Sequence, residues 1–415
     1  MKEVVIIGGG PSGMLCAAAI KEKAKEEINV TIVERLEKIG KKLLATGNGK
    51  CNFTNKAVAS KKYNNPKFVG PVLKQYGYKE IVNYLEKLGL LSKEITEGRI
   101  YPYTESATTI LEILRLHLNK LNVVIKTNYE VNKIVYKNNK YQIYNKNQHN
   151  YHIEGDYIVF ACGGCAAPIL GSNGSGYHLL KPFKVKITDL QPGLVGLTSD
   201  QNLFKPLNGL RFKSNVSIVE KKTKKVLWNE FGEVQYKAEG VSGIVIMQAS
   251  SFIARNPGHY YLTLDYMNEM SHDELVKLLI KQKELFNDLE SNNFLTGILP
   301  KMIGKTIIKK ASIDLNGYVK DLTKANITKI ATLIKCFPVE IKGNYGFERA
   351  QVTVGGVALN EIDPENLKIK KMKNAYICGE MMNIDGECGG YNLQWAMASG
   401  YLVGSMIAEE ENNQC

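Results

Sequence analysis

The chain has 415 residues, 44% hydrophobic and 23% charged, the balance of a globular protein with two or three domains and a substantial core. No run approaches the roughly eighteen apolar residues of a membrane span, and the chain opens on an apolar strand rather than a cleavable signal, so a cytoplasmic location without a membrane partner is expected. The net charge of +13 comes from lysines spread through stretches such as Lys133 to Lys146 and Lys221 to Lys225, not from one stripe with interleaved aromatics; nucleic acid is therefore not the expected partner, and a small molecule is.

Val4-Val5-Ile6-Ile7 predicts a buried parallel strand, and Gly8-Gly9-Gly10-Pro11-Ser12-Gly13 leads from it into a helix. In this G-x-G-x-x-G pattern Gly8 turns the chain, Gly10 lets backbone approach a pyrophosphate, and Gly13 lets the helix pack closely on the strand. The amides of Ser12, Gly13 and Met14 open the helix and present its positive end to phosphates. Glu34 ends the next strand, Val30-Thr31-Ile32-Val33, where a carboxylate can accept both hydroxyl hydrogens of an adenosine ribose. An acid rather than an arginine at 34 favours FAD or NAD over NADP.

Helices are predicted over Tyr78 to Leu88 and over Ser106 to Leu121, the latter with Ser106 as N-cap and Ile110, Leu111, Leu114 and Leu118 inward. Val123-Val124-Ile125 reads as a strand. Glu130 to Tyr136, Tyr141 to Asn145 and Tyr151 to Glu154 read as a meander, and 157–161 as a buried strand of the main sheet. From Thr188 the strand–helix alternation stops. Hairpin strands are expected at Val216 to Glu220 and Lys225 to Asn229, and another strand at Tyr260 to Asp265. A capping box at Ser271 to Glu274 starts a helix, and further helices are expected near Thr296 to Lys310 and Thr323 to Phe337. Ala375 to Cys378 and a helix from Asn392 to Glu410 then close the first fold. The expectation is an α/β protein: a Rossmann-like domain over 1–190 and 341–415, interrupted by a β-rich then helical substrate or cap domain over 191–340.

Three further glycine-rich segments point to a flavin. Gly40 to Asn52 (GKKLLATGNGKCN) offers lysine charge, a hydroxyl and free amides to a pyrophosphate and ribityl chain; Ala161-Cys162-Gly163-Gly164 ends a strand where backbone passes close to another body; Gly386 to Gln394 (GECGGYNLQ) opens the last helix. The eight cysteines are expected to be thiols. Cys162-Gly163-Gly164-Cys165 has the spacing of a redox pair but no partner set for zinc, and no metal site is expected. Cys51 and Cys388 are also placed to approach a ring.

These segments, with GRIYP at Gly98 to Pro102, Gly240-Val241-Ser242-Gly243, Val354-Gly355-Gly356-Val357 and GEMMNIDGECGGYNLQWAMASG at Gly379 to Gly400, resemble the HI0933/YhiN-like flavoproteins over the whole chain. The DGECGGYNLQWA ending is most similar to the BaiN-type members. The resemblance implies an FAD-binding Rossmann domain of the two-dinucleotide-binding type, with Ser12, Gly13 and Met14 at the pyrophosphate and Glu34 at the ribose. It also implies Lys41 and Lys42 in a basic loop, Val131 at the adenine, Glu380 by the ribityl chain, and Asn392 and Leu393 by the ring. The full cofactor set expected is Gly8, Gly10, Pro11, Ser12, Gly13, Met14, Glu34, Arg35, Lys41, Lys42, Thr46, Gly47, Asn48, Cys51, Asn52, Val131, Cys162, Gly163, Gly164, Gly379, Glu380, Gly390, Tyr391, Asn392 and Leu393. Two departures bear on substrate: Asn383 replaces the family's acid, and Tyr236-Lys237-Ala238-Glu239 replaces its phenylalanine-threonine-acid-tyrosine run.

Within such a group the resemblance implies either reduction of a conjugated C=C bond in a steroid- or bile-acid-like molecule, with NADH or NADPH as transient donor, or an aminoacetone-type amine oxidase. Charge alone raises a flavin-bearing nucleic-acid-modifying or binding protein. Reduction needs a proton donor. Tyr391, His178 and Tyr236 have suitable chemistry, and none is assigned as catalytic.

Overall fold

The structure, a computed structural model, describes residues 1–413; Cys415 lies outside the described residues. The chain forms two compact units, Met1–Pro192 with Phe347–Cys415, and Gly193–Gly346. The first is built on a five-stranded sheet in the order Ala375–Ile377, Tyr157–Phe160, Lys2–Ile7, Ile28–Val33, Val124–Lys126, with every neighbouring pair parallel. Strands covered on both faces carry unbroken apolar runs, and Val4 to Ile7 and Tyr157 to Phe160 are buried throughout.

The helix Pro11–Lys23 follows the first strand. Its residues Ser12 through Ile20 are all buried, so it has no polar face. The helix that lies against it is the last of the chain, Tyr391–Asn412. The two can approach because glycines face backbone: a Cβ on Gly400 would lie 2.1 Å from the Ser12 carbonyl oxygen, and one on Gly404 2.3 Å from that of Cys16. A three-stranded meander, Val131–Lys137, Lys140–Asn145 and Gln148–Gly155, completes the unit's main β structure.

The second unit has its own core around a seven-stranded antiparallel sheet, ordered Phe337–Glu340, Tyr260–Asp265, Arg211–Glu220, Val226–Lys237, Gly240–Ser242, Leu197–Thr198, Gly343–Asn344. The hairpin strands are longer than the sequence reading gave. The capping box is present, with Ser271 accepting from the Glu274 amide and the Glu274 carboxylate accepting from that of Ser271. The helix expected from Thr296 begins at Lys301, after Gly297 (φ +88°) and Pro300. The helix expected to Phe337 stops at Lys335, and Phe337–Glu340 becomes an edge strand, where Pro338 is tolerated. The helices Pro66–Gln75 and Ile244–Arg255 were not anticipated. Among the described residues no helix is long and apolar enough to cross a membrane.

Because the Gly400 contact is backbone against backbone, Gly400→Val should cost about 1–3 kcal/mol and lower the melting temperature by several degrees. A variant as stable as the parent in thermal unfolding would show that the two helices part without cost.

Candidate cofactor site

Every residue of this site belongs to the first unit. A cavity opens at the carboxyl ends of the central strands, lined by residues of the first glycine turn, the Gly40 loop and the start of the last helix. Such a position is the usual ligand crevice of an open parallel sheet.

The first glycine turn has the geometry its pattern predicts. Gly8 sits at φ +111° and lies so close to the Ala161 carbonyl that a Cβ would meet it at 2.3 Å. A Cβ on Gly13 would lie 2.1 Å from the Gly8 oxygen, the close helix–strand packing, whereas one on Gly10 would meet nothing within 4 Å. Gly10 therefore forms an open wall against which a pyrophosphate can lie. Of the helix's first amides, that of Met14 already donates to the Gly10 carbonyl at 2.9 Å. Pro11 has no N–H, so Ser12 and Gly13 are the donors left at this helix end.

Glu34 is held by two backbone amides, Gly9 N–H to Oε2 at 3.0 Å and Leu36 N–H to Oε1 at 2.9 Å. Each carboxylate oxygen keeps a second lone pair for a hydroxyl hydrogen. Arg35 turns aside to donate to the carbonyls of Gly171 and Pro168 at 3.2 and 3.0 Å, fixing that turn as part of the wall. Lys41 pairs with Glu37 at 3.1 Å and Lys42 with Glu380 at 2.6 Å. The other Glu380 oxygen accepts the Thr353 amide at 2.8 Å. Glu380 thus enters the cavity as half of an ion pair.

Gly8, Gly10, Pro11, Ser12, Glu34, Arg35, Lys41, Lys42, Thr46, Val131, Cys162, Gly163, Glu380, Asn392 and Leu393 line one cavity. Gly13, Met14, Gly47, Asn48, Cys51, Asn52, Gly164, Gly379, Gly390 and Tyr391 are not in its lining. Gly47, Asn48 and Cys51 take left-handed backbone in a tight loop. A Cβ on Gly390 would lie 2.6 Å from Asn52 Oδ1, so that loop and the last helix are in contact. Gly379 is clamped at both ends, its amide donating to Ser399 Oγ at 2.9 Å and its carbonyl accepting from Trp395 Nε1 at 3.2 Å. The Asn392 side chain closes the loop before its own helix, accepting from the Gly386 amide at 2.8 Å and donating to the Gly386 and Glu387 carbonyls. What Asn392 and Leu393 offer the cavity is therefore chiefly the amides of a helix's first turn.

Sequence reasoning missed Thr353. Its hydroxyl accepts from the Cys165 and Ala166 amides at 2.7 and 3.2 Å while its own amide holds Glu380. The neighbouring Val354-Gly355-Gly356 motif was the signal available. Tyr129, Ser172 and Trp395 also line the cavity unanticipated.

The three proton-donor candidates are not brought to the cavity lining. Tyr391 is buried edge-on against Tyr63, with ring centroids 6.2 Å apart. His178 is exposed on the short helix Ser175–Leu180. Tyr236 lies in the core of the second unit, bonded to the Tyr266 hydroxyl at 2.8 Å.

Cys16, Cys51, Cys162, Cys165, Cys336 and Cys378 are free thiols. Burial pushes the Cys51, Cys162 and Cys378 thiols each up to about 12, and the Glu34 charge adds to the rise at Cys162. Cys165 is raised too, mainly by burial and then by Glu380. These are packing thiols rather than poised thiolates.

The site fits an adenine dinucleotide bearing a flavin: an open glycine wall at a helix end, a carboxylate with lone pairs to spare, and a second helix end across the same cavity. A family model described as the HI0933-like protein Rossmann domain matches residues 2–406. The chain is 35% identical to the 3-dehydro-bile acid delta(4,6)-reductase of Clostridium scindens, over 99% of this chain and 100% of that one. It is 26% identical to the ribosomal RNA dihydrouridine synthase of Escherichia coli, over 96% of each. Among solved structures it resembles the 3-ketosteroid delta1-dehydrogenase from Sterolibacterium denitrificans, with a TM-score of 0.50, 12% identity, and coverage of 99% of this chain and 100% of the other, a likeness of fold.

At pH 8 the folded protein should be alkylated by iodoacetamide at exposed Cys336 well before Cys51, Cys162 or Cys378, as read by mass spectrometry. The unfolded thiols ionise near about 8.5. Their folded counterparts do so only near about 12. The stability tied to their neutral form is therefore complete below about 8.5 and lost as pH rises towards 12. The melting temperature should fall across that window; prompt modification of Cys162 at pH 8 would contradict this.

Proposed function

From the premise that the chain belongs to the HI0933-like family and is an FAD-dependent oxidoreductase, we propose that it reduces a C=C bond conjugated to a carbonyl in a small, steroid- or bile-acid-like molecule, with NADH or NADPH as transient donor. The observation that carries this reading is the full-length likeness to the Clostridium scindens reductase, joined to a cavity built for a dinucleotide. FAD supplies hydride chemistry when bound. Overall, one hydride and one proton add across the C=C bond while NAD(P)H becomes NAD(P)⁺.

The chain's own residues bind and orient. Glu34 accepts from the adenosine ribose. The Ser12 and Gly13 amides and the helix end meet the pyrophosphate. Lys42, held by Glu380, places positive charge on the cavity wall, and the amides at the start of Tyr391–Asn412 favour negative charge at the ring.

A second reading makes the double bond that of a uracil in RNA. The Escherichia coli relative favours it, because a uracil C5=C6 bond is likewise conjugated to a carbonyl.

Glu34→Gln replaces an acceptor with a donor facing the Gly9 or Leu36 amide. FAD binding should weaken by about 1.5–3 kcal/mol, tenfold or more in Kd, measured by flavin fluorescence on dilution. Retention equal to the parent would remove Glu34 from the ribose.

For the reaction, the flavin is bleached anaerobically with NADH or NADPH, and the reduced protein is mixed with air or with an α,β-unsaturated carbonyl acid. Faster reoxidation by the unsaturated acid is expected. Reoxidation only by uridine-containing RNA would establish the second reading. Rapid flavin reduction by a small primary amine, with peroxide formed in air, would replace both with an amine oxidase.

A further inference from the structure

The strand Val226–Lys237 of the second unit is paired on both sides for only part of its length. Arg211–Glu220 runs along one side from Val226 to Gln235, whereas Gly240–Ser242 covers only Gln235 to Lys237 on the other. The Tyr236 N–H and C=O bond Leu210 and Gly209 on the Arg211–Glu220 side, at 2.9 and 3.1 Å. Alternation along an antiparallel strand turns those of Asn229 and Phe231 to the open side. Among the described residues neither has a backbone partner there.

The open stretch has defined ends. A register shift between Ile218 and Val219 marks a bulge at its start. At its finish a Cβ on Gly243 would lie 2.3 Å from the Glu233 carbonyl oxygen, so nothing more can enter there. The helix Ile244–Arg255 covers a face of the strand rather than its edge, through Gln248 to Glu230 and Val245 over Gly232. What remains, Val226 to Gly232, carries no proline and no lysine, the residues that usually guard an edge. Val226, Leu227 and Phe231 are left 53%, 37% and 47% exposed on it.

The charges at the two ends select the occupant. Lys222, Lys224 and Lys225 lie exposed at one end, Lys224 over the Tyr261 ring, and Glu230 and Glu233 stand at the other. Their neighbours answer them only in part: Arg211 reaches Glu233 at 3.5 Å, Gln248 bonds Glu230, and Glu340 takes the adjoining Lys221 at 2.6 Å. An identical strand laid antiparallel brings the lysines of each copy to the glutamates of the other. Laid parallel, it sets like charges together.

We propose that this edge is a dimer interface, to which a second copy of the chain adds its own Val226–Gly232 antiparallel across a two-fold axis. The outward backbone groups of Asn229 and Phe231 bond the added strand, and the exposed apolar side chains of the two copies cover one another. The inference concerns association alone and stands whichever double bond is reduced.

The test uses the FAD-loaded full chain, sized by chromatography with light scattering across a hundredfold dilution series. The parent should reach twice the chain mass at the concentrated end. F231P removes an outward N–H while leaving the inner ladder intact, and F231K puts a charge on the edge. Each should raise the dimer Kd about tenfold or more. L285K, which alters an exposed apolar residue elsewhere in the same unit, should not change it. K224E/K225E and E230K/E233K should each be monomeric alone and pair when mixed, because antiparallel strands then again set acid against base. Flavin absorbance and melting temperature check that each variant is folded. The proposal is overturned if the parent is monomeric at every concentration, or if F231P and F231K dimerise as the parent does. It is equally overturned if L285K dissociates as much, or if the two charge variants stay apart when mixed.

Discussion

The first unit depends on packing of backbone on backbone, where Gly400 of the last helix meets the Ser12 carbonyl in the first turn of the first helix. This contact joins the two ends of the chain. With the last helix pressed there, its first turn, through Asn392 and Leu393, faces the same cavity as the first glycine turn. The same helix reaches back through Trp395 and Ser399 to both ends of Gly379, which in turn sets Glu380. A side chain at 400 would separate pieces of the site that are nearly four hundred residues apart in sequence.

Electrostatically the cavity is the meeting place of two helix ends, the Lys42 ammonium and two held carboxylates. Glu380 is paired with Lys42, while Glu34 is tied down by two amides. Each acid in the site is thus either paired or given donors, so neither repels the phosphates as a bare carboxylate would. The buried thiols stay protonated and add no charge of their own.

Much of this was legible in the sequence because the constraints are local. Gly8, Gly10 and Gly13 sit within six residues, and each is required by contacts that the strand–turn–helix itself creates. The capping box at Ser271 is likewise complete within four residues. What was not legible depends on partners distant in the chain. Thr353 is defined by Cys165 and Glu380, and Arg35 is set by carbonyls more than 130 residues away. The helix Ile244–Arg255 lacks a strongly polar face to reveal a period, and Gly70-Pro71 broke the pattern of Pro66–Gln75. Pro338 reads as a stop inside a helical pattern, and only the sheet order shows that it stands on an edge.

The discontinuity of the first unit has a consequence for how the chain is made. Residues 193–346 are contiguous and carry a core of their own, so that unit can close as soon as it leaves the ribosome. The first 192 residues cannot. Their sheet lacks the strand Ala375–Ile377, and their first helix, buried along nine successive residues, lacks the helix that covers it until synthesis reaches its end near residue 412. At about 5–20 residues per second this apolar surface waits on the order of ten seconds or more. The half of the protein made first is therefore the half completed last, and the interval is one in which a nascent-chain chaperone or early FAD would have the most to act upon.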